Sequence, residues 1–550
     1  MPKIKNPILP GFNPDPSICR VGADYYIATS TFEWYPGVQI HHSKDLANWA
    51  LITRPLTRAA QLDMRGNPDS CGIWAPCLTH ADNQFWLIYT DVKRKDGSFK
   101  DAHNYLVTAP SIRGPWSDRI YLNSSGFDPS LFHDDNGKKW LVNMLWDHRI
   151  RPRLFAGIAL QEYSIAERRL VGPIRNIFQG IDLLFTEGPH LYKRKGRDGK
   201  SWYYLLTAEG GTGYDHAVCF ARSRKLEGPY EIHPQTHILT ARHNPEHPLQ
   251  RAGHADICDT PDGKTYLVHL TGRPLPETRT GPLGRETSLQ EAEWGDDDWL
   301  WVKGGPLPAL EVDVPGAFDE KKFWAEKHYH FNAPELPIDF QWLRSPEPGR
   351  LFSMTADHNH LRLYGRESIG SWFEQSLVAR RLAHFAAECS TTIDFSPRDE
   401  RQMAGLIAYY NRYQFHYLAV TAHSEGQREL LIVSCPGDYP EGRLTFPADP
   451  VKIPNTGRID LSMRITRGKL QFFYALQEEG APRPENAVRP IGPVIDASIL
   501  GDEAGQGPHG NFTGAFVGVT AHDLNGSALH ADFSHFSYHP LRAEAERVPV

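Results

Sequence analysis

The chain has 550 residues, more than one hydrophobic core usually serves, so a single small domain is excluded and two domains are expected. Its 59 lysines and arginines against 66 aspartates and glutamates give a net charge of -7, which argues against nucleic acid and anionic membrane surfaces as partners. No apolar run approaches the roughly 18 residues of a membrane span, so the expected partner is small and neutral.

The start of the chain and its cysteines predict a cytoplasmic protein. The sequence begins Met-Pro-Lys-Ile-Lys-Asn and continues into a proline-bearing loop, without the apolar segment of a signal peptide. The seven cysteines are odd in number and scattered, as expected for reduced thiols in a cytosol. Neither they nor the 26 histidines show a zinc-type spacing, so no metal ligand is assigned on spacing.

A repeated pattern runs through the first half of the chain. Each copy contains a short polar or proline-bearing motif, a β-rich run, a turn signal and a second β-rich run. The copies begin at Asn13, Gly72, Gly126, Thr186 and Gly253. Their turns contain Gly, Asn and Asp, the residues that adopt positive φ in tight hairpins. Each copy is therefore predicted to be a β-hairpin.

Five such hairpins, with a second shared motif after each of the first four, predict a five-bladed β-propeller. The anchor residues of the copies, 53 to 68 residues apart, are Asp15, Ala75, Asp128, Glu187 and Ala255. This spacing is slightly more than a four-stranded blade needs. Because the first strand of each blade lines the central channel, the five anchors are expected to converge at one end of the axis. The repeat therefore predicts a functional site at that end of the propeller axis.

The remainder of the chain predicts a second all-β domain. The repeat weakens after about Leu300, where a Gly- and Pro-rich stretch at 304–308 marks a linker. Residues 459–474 then alternate apolar and polar side chains around a turn, as strands with one buried face do. We expect a propeller domain over residues 1–310 and a β-sandwich over residues 325–550.

Three of the five anchors are carboxylates: Asp15, Asp128 and Glu187. Hydrolysis of a glycosidic bond needs one carboxylic acid to protonate the leaving oxygen and a second carboxylate to attack carbon or to activate water. Like charges held together in a semi-enclosed pocket raise at least one pKa, as a general acid near neutral pH requires. Each Asp alone reads as a turn residue or a buried partner of arginine, but their recurrence favours catalysis.

Several segments match the motifs of a known family across both predicted domains. They are NPDPS at Asn13, GIWAP at Gly72, GFDPS at Gly126, TEGPHLYK at Thr186, GRETSL at Gly284 and FTGAFVG at Phe512. On these motifs the chain resembles the β-xylosidases of glycoside hydrolase family 43 over nearly its whole length.

The resemblance implies an exo-acting hydrolase that releases xylose from the non-reducing end of xylobiose and short β-1,4-xylooligosaccharides. In that scheme Asp15 is the base that activates water, Glu187 is the acid, and Asp128 orients Glu187 and tunes its pKa. The implied outcome is inversion, which fits carboxylates on separate blades because inverting pairs stand roughly 6.5–9.5 Å apart. The scheme requires no cofactor.

The resemblance also implies a sugar pocket. Arg285 would contact hydroxyls of the non-reducing-end xylose, although an arginine in this place also suits a surface or interdomain salt bridge. Phe32, Trp74 and Phe127 would form apolar walls for the C–H faces of the sugar, although aromatic side chains are also ordinary core residues. Ala75 would leave space and offer a backbone contact.

Two further residues and the assembly follow from the same resemblance. Phe512, from the second domain, would close the pocket and limit it to two subsites. His254 would reach the axis, either as a hydrogen-bonded channel histidine or beside a Ca²⁺ ion bound through waters, and the sequence leaves both open. A homodimer or homotetramer is expected.

Other functions stay open at this point. The same family contains α-L-arabinofuranosidases, so that activity, as the main or a side activity, is the first alternative. Endo-arabinanase activity is less expected, because those chains usually lack the second domain. A sugar-binding propeller without catalysis is the alternative from another class, and the complete set of acid, base and modulator argues against it.

Overall fold

The computed structural model describes residues 1–149, 154–423, 426–477, 487–504 and 511–546. The chain divides into two compact units, one comprising residues 1–273 and 285–319 and the other residues 274–284 and 320–550. The short segment 274–284, which lies within the repeat region of the sequence, thus belongs to the second unit. No helix among the described residues is long and apolar enough to cross a membrane.

The first unit contains five antiparallel sheets of four strands, one for each predicted hairpin repeat. In sheet order the strands are Ser17–Val21, Asp24–Thr29, Gln39–Ser43 and Ala50–Thr53; Gly72–Ala81, Gln84–Arg94, Asp101–Ala109 and Ile120–Asn123; Ser130–His133, Lys139–Trp146, Phe155–Ser164 and Arg169–Phe178; Glu187–Lys195, Ser201–Glu209, Ala217–Ser223 and Glu231–Thr240; Gln250–Asp259, Thr265–Gly272, Arg285–Trp294 and Leu300–Val302. Lys3–Lys5 pairs with Glu311–Asp313, and Trp34–Tyr35 is a two-residue strand.

The five sheets are the blades of a closed five-bladed β-propeller, as predicted. The first strands of successive blades contact one another, and the first strand of the fifth blade contacts that of the first. Asp256 joins three blades, because its Oδ2 accepts hydrogen bonds from Ser17 Oγ at 2.8 Å and from the Ile18 amide at 2.9 Å, and its Oδ1 accepts one from the Tyr192 hydroxyl at 2.6 Å. This buried carboxylate therefore ties together the inner strands of the first, fourth and fifth blades.

The segment before the first blade runs beside the third strand of the fifth. The Leu9 amide donates to the Thr287 carbonyl at 3.1 Å, and the Asn13 amide donates to the Arg285 carbonyl at 3.0 Å. These bonds bring the backbone of Arg285 close to Asp15, which is 270 residues away in the sequence.

The hairpin turns and the core follow from local sequence. Asp82 and Asn83 both have positive φ, 52° and 57°, as a two-residue hairpin loop requires. The core lies between neighbouring blades, where Trp86 of the second blade packs with Leu131 and Leu141 of the third. Each fully buried side chain of this size contributes about 1.5–3 kcal/mol.

The second unit is a β-sandwich of two antiparallel sheets, also as predicted. One sheet runs through Phe352–Ser353, Leu361–Tyr364, His530–Pro540, Ala386–Asp394, Ile459–Thr466, Lys469–Leu476 and Arg489–Asp496, with Lys327–His330 also pairing with His530–Pro540. The other runs through Val451–Lys452, Arg428–Pro436, Gln414–Ala422, Gln402–Asn411, Phe516–Asp523, Ser376–Arg381 and Phe340–Leu343. Short helical turns are Glu320–Phe323, Pro348–Arg350, Ser498–Leu500 and Arg542–Ala545. Strand Ile459–Thr466 buries every second residue, which confirms the predicted alternation.

Candidate active site

Every blade has a residue with a left-handed backbone where the sequence repeats place their anchors, at or near the start of its first strand, and Gly72 and Arg251 are left-handed as well. The φ values are 55° at Asp15, 29° at Ala75, 52° at Asp128, 57° at Gly188 and 43° at His254. Residues other than glycine rarely adopt this conformation, and such positions cluster at functional sites. In the second, fourth and fifth blades the strand pairing also shifts register here, as in a β-bulge that re-aims side chains.

This conformation changes the alignment of the repeats by one residue in the last two blades. The sequence spacing aligned Glu187 and Ala255 with Asp15, whereas the left-handed positions show that Gly188 and His254 are its equivalents. Glu187 lies one residue earlier, at the position that an aromatic residue holds in the second and third blades. The acidic side chain therefore enters the cluster from a different place on its blade than Asp15 does.

Asp15 is buried and fully hydrogen-bonded. Its Oδ1 accepts a hydrogen bond from Arg285 Nη1 at 3.0 Å, and its Oδ2 accepts one from Ser30 Oγ at 2.7 Å. Burial by itself raises the pKa of Asp15, but the charge of Arg285 and the hydrogen bond from the Ser30 hydroxyl together lower that pKa below its ordinary value. Asp15 is therefore ionised at neutral pH, as a general base must be.

Asp128 and Glu187 form a coupled pair. Asp128 Oδ2 accepts the Gly188 amide at 3.2 Å, which holds the peptide group that follows Glu187. Burial raises the pKa of Glu187 to about 8, with a contribution from the charge of Asp15, while Arg285 and a nearby lysine oppose the rise. Burial also raises the pKa of Asp128, and the charge of Glu187 adds to this rise. The pair therefore retains a proton at neutral pH.

His254 reaches the same cluster. Its Nδ1 lies 3.9 Å from Asp128 Oδ2, and its ring lies 3.0 to 3.3 Å from the point that a Cβ atom on Gly188 would occupy. Burial lowers the pKa of His254 to about 4, so the imidazole is neutral in the physiological range. Only a glycine leaves room for this close approach of the fourth and fifth blades.

The residues around His254 fit a directly ligated calcium ion poorly. Calcium takes roughly six to eight oxygen ligands at about 2.3–2.6 Å, whereas His254 offers nitrogen and the Asp128 carboxylate is 3.9 Å from it. Within the described ranges, a group of three metal-binding side chains in mutual reach occurs in the fourth blade and not at His254. A Ca²⁺ ion held through waters near His254 stays a prediction.

The three predicted wall residues form one aromatic surface. The ring centroids of Phe32 and Trp74 are 5.9 Å apart, and those of Trp74 and Phe127 are 5.3 Å apart. The guanidinium of Arg285 lies 5.2 Å from the centroid of Phe32, so the aromatic surface begins beside the Asp15–Arg285 pair. It continues to Phe155, which is 6.0 Å from Phe127 and which the sequence analysis did not identify.

Three other residues contribute to this site and were not predicted from the sequence. Ser30 binds Asp15, and Thr212 accepts a second hydrogen bond from Arg285 Nη1 at 3.0 Å. Lys100 is the lysine whose charge acts on Glu187, and its Nζ lies 4.4 Å from the centroid of Trp146. Ser30 and Thr212 lie after the second strand of a hairpin, and Lys100 lies between strands, so no repeated motif marks them.

Two predicted residues need separate mention. Ala75 is buried and holds the left-handed position of the second blade. Phe512 is half-buried in the second unit, and its contribution to the sugar pocket stays a prediction. The propeller thus brings together the carboxylates, the arginine and the histidine that the sequence singled out.

This arrangement has the chemistry of general acid–base catalysis. One carboxyl group is held ionised by a cation and a hydroxyl, while another is kept protonated by burial and by neighbouring negative charge. A protonated carboxylic acid and an ionised carboxylate in one site are the two groups that hydrolysis of a glycosidic bond needs.

Comparison with known proteins places the chain in a family. Residues 4–300 match the model for glycosyl hydrolases family 43, and residues 328–539 match the beta xylosidase C-terminal concanavalin A-like domain. A Humicola insolens protein named xylosidase/arabinosidase 43B is 63% identical to this chain, with 100% of both chains covered. A beta-xylosidase of Bacillus subtilis (strain 168) is 48% identical, covering 98% of this chain and 99% of the relative.

A solved structure shows the same architecture. The crystal structure of a xylan beta-1,4-xylosidase from Bacillus halodurans C-125 superposes with a TM-score of 0.91 at 48% sequence identity, covering 98% of this chain and 100% of that one. The resemblance predicted from the sequence motifs is confirmed, and the chain belongs to glycosyl hydrolase family 43.

Proposed function

We propose that the protein releases xylose, with inversion, from the non-reducing end of xylobiose and short β-1,4-xylooligosaccharides. Asp15 acts as the general base, Glu187 acts as the general acid, and Asp128 is a positioning residue for Glu187. The observation that carries the proposal is the opposite displacement of two pKa values in one buried cluster, downward at Asp15 and upward to about 8 at Glu187.

Asp15 and Glu187 account for both proton transfers of the proposed reaction. Asp15 takes a proton from a water molecule as the water oxygen bonds to the anomeric carbon, and Glu187 gives its proton to the glycosidic oxygen as the bond to that oxygen breaks. Exchange with solvent then removes the proton from Asp15 and returns one to Glu187. The Asp128 contact with the Gly188 amide supports this scheme because it restrains the peptide next to Glu187.

Substrate recognition is proposed for the surface next to the carboxylates. The Arg285 guanidinium would donate to sugar hydroxyls, and the contiguous rings of Phe32, Trp74 and Phe127 would pack on the C–H faces of the pyranose. The position of Arg285 between Asp15 and Phe32 supports this assignment.

The test compares uncharged variants of the two carboxylates. Asp15→Asn and Glu187→Gln are each expected to lower kcat on xylobiose about 10²–10⁴-fold. Glu187→Gln should lose less activity on 4-nitrophenyl β-xyloside, because that leaving group needs no protonation. Asp134→Asn is a matched control, since Asp134 is a buried carboxylate at the other end of the same inner strand as Asp128, bound to Lys193 at 2.7 Å. Near-normal turnover by Asp15→Asn or Glu187→Gln defeats the proposal.

The stereochemical outcome is tested separately. Proton NMR of the first turnovers should show α-xylose appearing before mutarotation produces the β-anomer. Initial formation of β-xylose would instead require a covalent intermediate and would exclude Asp15 as a base toward water.

A second candidate is α-L-arabinofuranosidase activity, which is supported by the name xylosidase/arabinosidase 43B of the Humicola relative. Initial rates on 4-nitrophenyl β-xyloside and 4-nitrophenyl α-L-arabinofuranoside separate the two. Measurable xylobiose binding without turnover on either substrate would instead support a sugar-binding propeller.

The remaining proposals concern the location, the oligomeric state and the cofactor requirement of the protein. We propose a cytoplasmic location, supported by seven cysteines that are all buried and free of disulfides. From the family resemblance we propose a homodimer or homotetramer, which light scattering on the purified protein decides. No cofactor is proposed for the chemical step, so kcat should be unchanged in the presence of a chelator. Loss of activity in the chelator, with recovery when Ca²⁺ is added, would instead support an ion near His254.

A further inference from the structure

A second cluster of reactive side chains lies in the fourth blade, apart from the catalytic carboxylates. Glu209 ends the second strand of that blade, Cys219 lies in the third strand, and His237 lies in the fourth. A carboxylate oxygen, the thiol sulfur and an imidazole nitrogen all lie within 4.8 Å of one another. All three side chains are buried.

The imidazole of His237 is aimed into this cluster. Its Nε2 is buried, the residue is 9% exposed, and this atom has no hydrogen-bond partner among the described residues. It lies 3.7 Å from Glu209 Oε2 and 3.4 Å from Asp182 Oδ1. Both distances exceed the 2.7–3.2 Å of ordinary N–H···O bonds. Two ligand atoms on one tetrahedral zinc ion, each about 2.0–2.1 Å from it, are about 3.4 Å apart.

The local backbone explains why the side chain points there. Thr236 has a φ of 62°, and the pairing between the third and fourth strands shifts register on both sides of Cys219. Cys219 and His237 are nevertheless direct cross-strand partners. A bulge of this kind turns the neighbouring side chain toward its partner, and here it places the imidazole beside the thiol.

Glu209 is held in place by the segment that precedes the catalytic acid. Its Oε1 accepts hydrogen bonds from the Ile181 amide and from Thr186 Oγ1, the latter at 3.0 Å, and its Oε2 accepts the Leu183 amide at 3.3 Å. Gly180 has a φ of 83°, and a Cβ atom there would lie 2.8 Å from Glu209 Oε1. These contacts orient the carboxylate as supporting hydrogen bonds orient a metal ligand.

The donor set favours one kind of ion. Nitrogen, sulfur and carboxylate oxygen donors together suit zinc, whereas calcium and magnesium prefer oxygen throughout. Asp182, whose Oδ1 lies 3.4 Å from His237 Nε2, would supply a fourth donor, and its side chain is 64% exposed, so it provides a route of entry from solvent.

We propose that Asp182, Glu209, Cys219 and His237 form a zinc site. On binding, a Zn–S bond replaces the S–H bond of Cys219, and the released proton passes to solvent. The bound ion ties Asp182 to the fourth blade directly and holds residues 181–186 through Glu209. Because this segment leads into Glu187, the site restrains the beginning of the strand that carries the proposed acid.

The experiment measures metal uptake by the full chain after chelation and dialysis. Wild type should take up one Zn²⁺ per chain, and Co²⁺ in its place should produce the near-ultraviolet charge-transfer absorption of a thiolate–cobalt bond. Cys219→Ser should lose the absorption and the zinc. Cys258→Ser, a matched control that removes a buried thiol from the fifth blade, should retain both.

A second variant covers the case in which Cys219→Ser does not fold. Zinc should raise the Tm of the wild type and leave that of His237→Gln unchanged. The proposal is overturned by any one of three results: no zinc uptake by the wild type, cobalt binding without the thiolate absorption, or uptake that persists in folded Cys219→Ser. None of these measurements depends on glycosidase activity, so they are independent of the proposed function.

Discussion

Replacement of Arg285 by methionine should move both limbs of the pH–rate profile to higher pH. In the wild type, Arg285 lowers the pKa of Asp15, which must be ionised to act as a base, and opposes the rise of the pKa of Glu187, which must be protonated to act as an acid. Without the guanidinium both pKa values rise. The acidic and the alkaline limbs of kcat/KM should therefore shift in the same direction.

The size of the shift at Asp15 follows from the contact distance. At 3.0 Å between Arg285 Nη1 and Asp15 Oδ1, and an effective dielectric constant of about 20, the Coulomb energy is about 5.5 kcal/mol. Water entering the vacated space reduces this, so the expected rise of the acidic limb is about 1–3 units. The alkaline limb starts from a Glu187 pKa of about 8 and should move less, because burial and the charge of Asp15 affect that pKa more than Arg285 does, whereas Arg285 is the main influence that lowers the pKa of Asp15.

The assay is the pH dependence of kcat/KM on 4-nitrophenyl β-xyloside, with Tm measured for each variant. Arg285→Lys keeps the charge and should leave both limbs near their wild-type positions, although kcat/KM falls because the guanidinium geometry is lost. Arg273→Met removes an arginine paired with buried Glu286 at 2.6 and 2.8 Å in the same blade, and it should also leave the limbs in place.

Limbs of folded Arg285→Met that remain at their wild-type pH would refute this electrostatic reasoning. So would limbs that move apart, because a single lost cation cannot lower the pKa of one carboxyl group while raising that of the other.

Three other predictions follow from single residues. The pKa of Glu187 rises from 4.5 to about 8 on folding, so between these pH values the folded chain keeps a proton that the unfolded chain releases, and the stability of the fold decreases as pH rises through this range. Glu187→Gln should therefore raise Tm, relative to wild type, more at pH 9 than at pH 4. An equal difference in Tm at the two pH values would contradict this prediction. Trp74→Ala should raise KM for xylobiose about 10-fold with a smaller change in kcat, and a loss confined to kcat in steady-state kinetics would count against a sugar wall. Gly188→Ala places a Cβ atom 3.0 Å from His254 Cε1 and should lower kcat by about 10²-fold. Gly199→Ala is the control, because Gly199 also has positive φ but has open space around it, and it should leave kcat unchanged. Equal losses of kcat in the two variants would point to backbone strain alone.

Much of the fold was predictable because its signals are local. The Asp82-Asn83 turn and the equivalent glycine-bearing turns specify hairpins within a few residues of sequence, and their fivefold recurrence indicates a propeller. The alternation in Ile459–Thr466 likewise predicts a strand with one buried face, which the sandwich contains. The assignment of segment 274–284 to the second unit has no such local signal.

The exact alignment of the repeats could not be predicted from sequence spacing. Glu187 was recognised as a site residue from its motif, but the one-residue offset from Asp15 depends on which residue adopts the left-handed conformation. That choice depends on bulges in the strand pairing, and a bulge changes the facing of a side chain without changing the motif around it.

The sequence by itself therefore determined the five hairpins, the second β domain and the identity of the three clustered carboxylates, because turn residues, alternation and repeated motifs act over short stretches of chain. Only the tertiary structure decided that Ser30 and Arg285 hold Asp15, that Lys100 acts on Glu187, and that Cys219 meets His237. The physical reason is that charge and hydrogen bonding act through space, and closure of the ring of blades sets those distances.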